Sequence, residues 1–356
     1  MLPKNILVLR FSAMGDVMLL VPVLRSLTQT YPEVNVTLVT RPRFASFFSN
    51  IPQVKLLEAD VDGAYSGFFG IRNLFKKIFR HGHYDLVVDV HDHIRTQLLK
   101  SFFWLFGTPV VTFRKGRSEK KALVRKKNKH LKPLPHTVQR YHEVFTRIGF
   151  QFKIHSSPHL LPDPLSLLKA EAWEKENNLV KKEKWIGIAP FAMHNTKIWP
   201  LPNYFPLIQH LVEVEGYKIF FFGGGEQEIQ FFENLQKKHE GACFTIAGKM
   251  DLSEETAFLQ KVDLMVCVDS SNMHLAALSG VPILSIWGGT HPYTGFSPYP
   301  EKPGDILQIP ANQMPCRPCS VYGKRSCYRK DFACLTQITP DEVLNHILKK
   351  ISELPA

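Results

Sequence analysis

No apolar run in the sequence reaches the ~18–20 residues that a bilayer-spanning helix needs. The first hydrophobic stretch, ILVLRF, is short and carries Arg10, so it does not read as a signal peptide. These two observations predict a cytoplasmic protein. Cysteine is scarce, six in 356 residues, which argues against a disulfide-built scaffold. The dinucleotide fingerprint GxGxxG is missing, which counts against a nicotinamide oxidoreductase. No zinc finger or other nucleic-acid motif occurs, and no nucleic-acid partner is expected. Internal repeats and low-complexity segments are also absent. Acidic residues are in deficit, 32 against 44 Lys and Arg, giving a formal net charge of +12. A surplus of that size implies an anionic partner: nucleic acid, a membrane surface or a phosphorylated substrate. Lys115 to Lys132 alone hold nine Lys and Arg among eighteen residues. The block has no aromatics on which bases could stack.

What is present is a chain of ordinary globular composition, 44% hydrophobic and 21% charged. Its length suits two domains. The stretch that organises it is 262–292, VDLMVCVDSSNMHLAALSGVPILSIWGGTHP. An apolar, β-prone run ends at Asp269, and Ser270, Ser271 and Asn272 suit a helix start. Gly280 and Pro282 then end that helix and open the next strand. Such a turn lies at the carboxyl end of a strand, where open α/β sheets bind ligands. The helix start offers unpaired N–H groups and partial positive charge, fit for a phosphate. Asp269 and His274 flank it. The plain alternative is a buried βαβ unit whose polar residues only cap a helix.

The chain opens in the same way. NILVLRF is a strand, SAMGD a turn, and Val17 to Leu27 a helix with an apolar face. Gly15 permits a tight turn or close approach to a ligand. Asp16, in the first helical turn, is either a dipole-favourable acid or a general base at the end of the first strand. Residues 68–80, FFGIRNLFKKIFR, place Phe and Ile on one side and Arg and Lys on the other. That pattern suits a core helix with a basic outer face, or a helix lying on an anionic membrane. In YDLVVDVHDHIR a strand runs into a turn crowded by His91, Asp92, His93 and Arg95. The spacing matches no metal motif, and Arg95 is placed to grip an anion.

Prolines at 158, 162 and 164 break the chain, and a domain boundary is expected between 153 and 184. A second series of strands and helices follows. After WIGIAPF, Lys197 is placed to meet a diphosphate as a point charge. After KIFFF, Gly223, Gly224 and Gly225 let a ligand lie against the backbone. Glu226 or Glu228 would then hold ribose hydroxyls. Late in the chain Cys316, Cys319, Cys327 and Cys334 form C-x2-C-x7-C-x6-C, a candidate structural zinc site with four thiolates. Free thiols are the alternative.

The opening ILVLRFSAMGDVMLLVPVLRSL and the stretch 262–292 resemble lipopolysaccharide heptosyltransferases, glycosyltransferase family 9. TKIWP, YDLVVDVHDHIR and the closing CLTQITPDEV keep that family's order, so the likeness covers nearly the whole chain. The resemblance implies an α/β, GT-B fold: two Rossmann-like domains with parallel sheets facing a cleft. Residues 1–160 would be the acceptor domain, 161–184 a linker and 185–338 the nucleotide-sugar domain. The helix in 339–356 would pack back on the N-terminal domain. The implied activity is metal-independent, inverting transfer of a heptose from ADP-heptose to the lipid A-linked inner core of lipopolysaccharide.

On that likeness Asp16 deprotonates the acceptor and Lys197 neutralises the departing diphosphate. Gly15, Thr196, Gly223, Gly224, Glu226, Glu228, Asp269, Ser270, Ser271, Met273 and His274 bind the donor. Arg95, His136 and Arg140, with the basic block, face the phosphorylated acceptor. The likeness also implies a peripheral place on the inner face of the cytoplasmic membrane. Ser271 departs from the family's usual glycine, and AMHN precedes Thr196 where hydroxyl residues are common. The alternatives are a related glycosyltransferase using another nucleotide sugar on a different surface glycan, or a non-catalytic glycolipid-binding protein of the same fold.

Overall fold

The computed structural model describes residues 2–354. They divide into two compact units. The first comprises the chain up to Gly116 and returns with Pro135–His159. Its sheet has five parallel strands: β1 (Asn5–Leu9), β2 (Asn35–Thr40), β3 (Val54–Glu58), β4 (Leu86–Asp89) and β5 (Val110–Thr112). Their order is β3-β2-β1-β4-β5, so the strand order reverses between β1 and β4. The connecting helices are α1 (Met14–Met18), α2 (Val21–Thr30), α3 (Gly67–His81) and α4 (Ile94–Leu105). The single helix expected over 17–27 is split into α1 and α2. Pro22 sits in the first turn of α2, where its missing N–H and fixed φ are tolerated; in mid-helix they would break a hydrogen bond.

The second unit takes Arg117–Leu134 and then everything from Leu160. Its helices are α5 (Arg117–Leu123), which precedes α6 (Thr137–Ile148) of the first unit, then α7 (Pro164–Glu176), α8 (Tyr204–Glu213), α9 (Glu226–Lys238), α10 (Leu252–Leu259), α11 (Ser271–Leu278), α12 (Ala333–Thr336) and α13 (Pro340–Ser352). The six-stranded parallel sheet uses β6 (Trp185–Ala189), β7 (Lys218–Phe221), β8 (Cys243–Thr245), β9 (Leu264–Val268), β10 (Ile283–Trp287) and β11 (Ile306–Gln308). Its order is β11-β10-β9-β6-β7-β8, with the reversal between β6 and β9. The strands are near-continuous apolar runs because both faces of a parallel sheet are covered by helices. Ile186, Ile188, Val266, Val268, Leu284 and Ile286 meet Trp199, Leu207 and Leu211 in the core.

Three expectations about the domains are corrected. Residues 117–134 leave the first unit for the second. Their cations are drawn there by aromatic faces and carbonyls: Lys120 Nζ lies 4.5 Å from the Phe296 ring centroid, and Lys129 donates to Pro318 O at 2.9 Å and to Cys316 O. The segment 161–184 is no free linker. Asp163 caps α7 and accepts from Ser253 at 2.8 Å, and Trp173 packs edge-on against Phe258 at 5.4 Å. Finally, α13 belongs to the second unit. Val343, Ile347 and Ile351 enter that unit's core, which is where an apolar face at helical spacing finds its burial.

Candidate active site

In the first unit the candidate side chains gather at the β1/β4 reversal. Leaving β1, the chain places Arg10, Ser12 and Asp16 in sequence; leaving β4, it places His91 and His93. Asp16 stands in the first turn of α1, and its carboxylate pairs with Arg10 at 2.9 Å. Arg10 is buried and also donates to Val90 O. Its guanidinium lies 5.7 Å from the centroid of the Tyr141 ring, and Tyr141 donates its hydroxyl to Asp16 O at 3.3 Å. Asp16 is thus held by one oxygen and by its backbone. Its side chain remains a quarter exposed.

Ser12 Oγ and His91 Nε2 lie 3.4 Å apart. Asp89, fully buried at the end of β4, accepts from the N–H groups of His91 at 2.9 Å and Asp92 at 2.8 Å. That knot fixes the backbone of the following turn. Burial, reinforced by the positive charge of Arg10, pushes His91 down to about 2, so its imidazole is neutral across the physiological range. Its Nδ1 is buried without a hydrogen-bond partner among the described residues. Such an atom at a strand end is an opening for a ligand donor.

Of the three expected acceptor residues, only Arg95 stands free of the backbone. It shares Asp62 with Arg41, at 3.0 and 2.7 Å. Two guanidinium groups on one exposed carboxylate leave positive charge to spare. His136 is instead the N-cap of α6, its Nδ1 accepting from Val138 N at 3.2 Å. Arg140 is buried and donates to Pro135 O at 3.1 Å and Arg114 O at 3.2 Å. Both side chains are occupied in holding the chain. Arg10 and Arg41 were missed. Each directly follows the last residue of a strand, the signal that would have found them.

In the second unit the corresponding reversal lies between β6 and β9, and one ion pair spans it. Lys197, after β6, meets Asp269, after β9, at 3.0 Å. Thr290, after β10, donates to Asp269 Oδ2 at 2.7 Å. Three neighbouring strands therefore end in one buried polar cluster. Thr196 fastens the lysine's loop: its hydroxyl donates to Gly323 O at 2.7 Å, and its carbonyl accepts from Gly289 N at 2.8 Å. Gly323 sits at φ +84°, and a Cβ there would come within 2.6 Å of Lys197 Cδ. Glycine lets this loop close over the lysine's stem.

Beside Asp269, α11 begins without a side-chain cap; Ser270 Oγ is buried with no partner among the described residues. The first N–H groups of α11 are consequently left for an external acceptor. Ser271 is the first residue of that helix. Met273 and His274 are both buried. On the glycine loop after β7, Glu228 accepts from Gly224 N at 2.9 Å. Its carboxyl is pushed up by burial, and its oxygen lies 2.4 Å from where a Cβ on Gly223 would stand. Glu228 closes the loop, and Glu226, exposed at the first position of α9, is the acid that points to solvent.

The zinc expectation is not met. Among the described residues no group of three or more Cys, His, Asp or Glu is arranged to hold a metal. Cys316, Cys319, Cys327 and Cys334 are free thiols. They line one small cavity with Thr196, Gly289 and Arg317. Burial pushes Cys334 up to about 12 and raises Cys319, so these two thiols stay protonated, and Cys319 donates its thiol to Gly289 O at 3.4 Å. Arg317, also missed, is fully buried and donates to Gly288 O, to Thr290 O at 3.0 Å and to Gln308 Oε1 at 2.9 Å. Sequence spacing suggests ligands; the fold uses this segment to brace the 288–290 loop.

Each strand-order reversal lies where open α/β sheets bind ligands, and the lysine beside an open helix start in the second unit suits a phosphorylated ligand. The family model described as glycosyltransferase family 9 (heptosyltransferase) matches residues 71–325. The chain belongs to glycosyltransferase family 9. It is an enzyme, and its α/β fold is of the GT-B class expected from the sequence. Lipooligosaccharide heptosyltransferase 2 of Haemophilus influenzae is 27% identical over 97% of this chain and 100% of its own length. Lipopolysaccharide heptosyltransferase 2 of Escherichia coli K12 is 25% identical over 96% and 97%. Among solved structures, the family 9 glycosyltransferase of Veillonella parvula superposes with a TM-score of 0.76 at 20% identity, covering 99% of this chain and 98% of the other. The E. coli heptosyltransferase WaaC with ADP-2-deoxy-2-fluoro heptose gives 0.67 at 19% identity, covering 97% and 99%.

Proposed function

We propose that this family 9 enzyme moves a heptose from ADP-heptose to the inner core of lipopolysaccharide, with inversion at the anomeric carbon. The observation that carries the reading is the Lys197–Asp269–Thr290 cluster beside the uncapped start of α11, in a chain whose relatives, matched along nearly their whole length, are named heptosyltransferases. The second unit holds the donor. Lys197 and the first N–H groups of α11 meet the diphosphate, Asp269 and Thr290 fix the lysine, and Glu226 at the glycine loop reaches the ribose. The first unit holds the acceptor, with Asp16 as base and Arg95 with Arg41 for acceptor phosphate.

The chemistry follows from the residue types. An acceptor hydroxyl oxygen attacks the anomeric carbon while the bond to the diphosphate oxygen breaks. The electron pair leaves with ADP, and the hydroxyl proton passes to Asp16. A sugar hydroxyl is a weak nucleophile, so a positioned carboxylate helps most as its proton is lost. The diphosphate gains charge in the transition state, so a fixed cation and a helix start stabilise that state more than the ground state. The reading places the enzyme in the cytoplasm, peripherally at the membrane that carries its acceptor. No described helix is long and apolar enough to cross a membrane.

The test incubates the enzyme with ADP-heptose and a lipid A core that lacks heptose. A heptosylated product with the anomeric configuration opposite to the donor's is expected. Asp16→Asn should lower turnover by about 10²-fold or more, the scale of general-base loss. Retention of configuration, or equal turnover in the variant, would remove Asp16 from the mechanism.

A further inference from the structure

The face that α3 and α4 turn to solvent has a composition that a soluble enzyme has no use for. Phe69 is 76% exposed, Trp104 and Leu105 68% each and Phe106 64%. Phe68 and Phe79 are about half exposed. The rings form two exposed groups joined beneath by the buried Phe75: in the first, Phe69 touches Phe68 at 5.6 Å, and Phe68 reaches Phe102 at 6.2 Å. Phe102 and Phe106 both meet Phe75 at 5.3 Å, and in the second group Phe106 meets Phe79 at 5.3 Å. Single exposed apolar residues are ordinary, whereas grouped exposed aromatics mark a contact surface.

Charge decides which contact. The outer face of α3 also carries Arg72, Lys76, Lys77 and Arg80, all exposed, and neither α3 nor α4 contains a single Asp or Glu. The inner face of α3 is spent on the core through Ile71, Leu74, Phe75 and Ile78. Aromatic side chains flanked by cations, with no acid among them, match the interface of an anionic bilayer. Rings enter the boundary between headgroups and acyl chains, and ammonium and guanidinium groups meet lipid phosphates. The block 115–132 is the more obvious candidate from sequence, but it offers no exposed aromatic side chain to enter a bilayer, and part of its charge is engaged within the second unit: Lys120 is buried, Lys126 lies over Tyr328 at 5.2 Å, and Lys129 donates to two carbonyls.

We propose that the exposed face of α3 and the C-terminal end of α4 dock this enzyme on an anionic phospholipid surface. The proposal deepens the reading of a lipid-linked acceptor, since the docking face belongs to the unit that carries Asp16. Its test needs neither donor nor acceptor. The full chain is sedimented with vesicles of pure phosphatidylcholine and of phosphatidylcholine mixed with phosphatidylglycerol. Binding to the mixed vesicles should be about tenfold or more tighter and should weaken with salt. Phe69→Ser with Phe106→Ser, and separately Lys76→Glu with Lys77→Glu, should each lower that binding about tenfold or more, while ADP still stabilises both variants against heat.

Unchanged vesicle binding in both double variants would overturn the proposal. So would a wild-type chain that elutes as a dimer and becomes a monomer on Phe69→Ser with Phe106→Ser, because the face would then be covered by a second copy. A chain that transfers heptose but ignores vesicles would refute the docking face alone. One that binds vesicles but transfers nothing would refute the activity alone.

Discussion

At the scale of single residues, histidines show how much of the site depends on position. His91, His93, His136, His274 and His291 all sit at strand ends or helix starts, and in sequence they look alike. The structure separates them: His136 caps a helix, His91 is held neutral beside Arg10, and His291 caps the turn that begins at Pro292 by accepting from Tyr293 N at 3.1 Å. Burial, with Arg317 nearby, pushes His291 down to about 4 from its usual 6.5. The folded state therefore resists a proton that the unfolded chain accepts. Stability from this residue is complete above pH 6.5 and is lost as pH falls towards 4, by up to about 1.4 kcal/mol per pH unit. Glu255, pushed up to about 8 by burial, works in the opposite direction, so the comparison must be made against a variant that keeps it. His291→Asn retains a capping acceptor and does not titrate. Its melting temperature should fall less steeply between pH 7 and 5 than that of the wild type; parallel slopes would show that His291 is charged in the folded state.

At the scale of elements, strands and their exits were legible and the bracing was not. Apolar runs ending at Leu9, Ala189 and Val268 announce parallel strands, and Asp16, Lys197 and Asp269 follow them at the distance a ligand-binding turn requires. The 314–334 segment offered only its cysteine spacing. Its work depends on partners tens of residues away: Arg317 on Gly288 and Thr290, and Gly323 over Lys197. Such pairings have no local period to reveal them. Gly323→Ala tests the bracing. A left-handed φ with a methyl driven into the lysine stem should cost about 1–3 kcal/mol of stability. Below its melting point the variant should also bind ADP more weakly, because Lys197 must shift. A stable variant with unaltered ADP affinity would show that the loop does not position the lysine.

At the scale of the whole molecule, the sequence foretold two Rossmann-like halves and a strong cationic bias, yet it misjudged where each segment belongs. The basic block, the supposed linker and the last helix all join the second unit. A run of cations reads as a solvated loop, and the rings of Phe296, Tyr322 and Tyr328 that engage Lys120 and Lys126 lie too far along the chain to be foreseen. The remaining claim is that this unit is a nucleotide diphosphate site built on Lys197 and the start of α11. Calorimetric titration of ADP into the wild type and into Lys197→Ala measures it directly. The account predicts saturable ADP binding that weakens by about 1.5–3 kcal/mol in the variant, the scale of a hydrogen bond to a charged group. Equal affinity in the two proteins, or no ADP binding by the wild type, would contradict it.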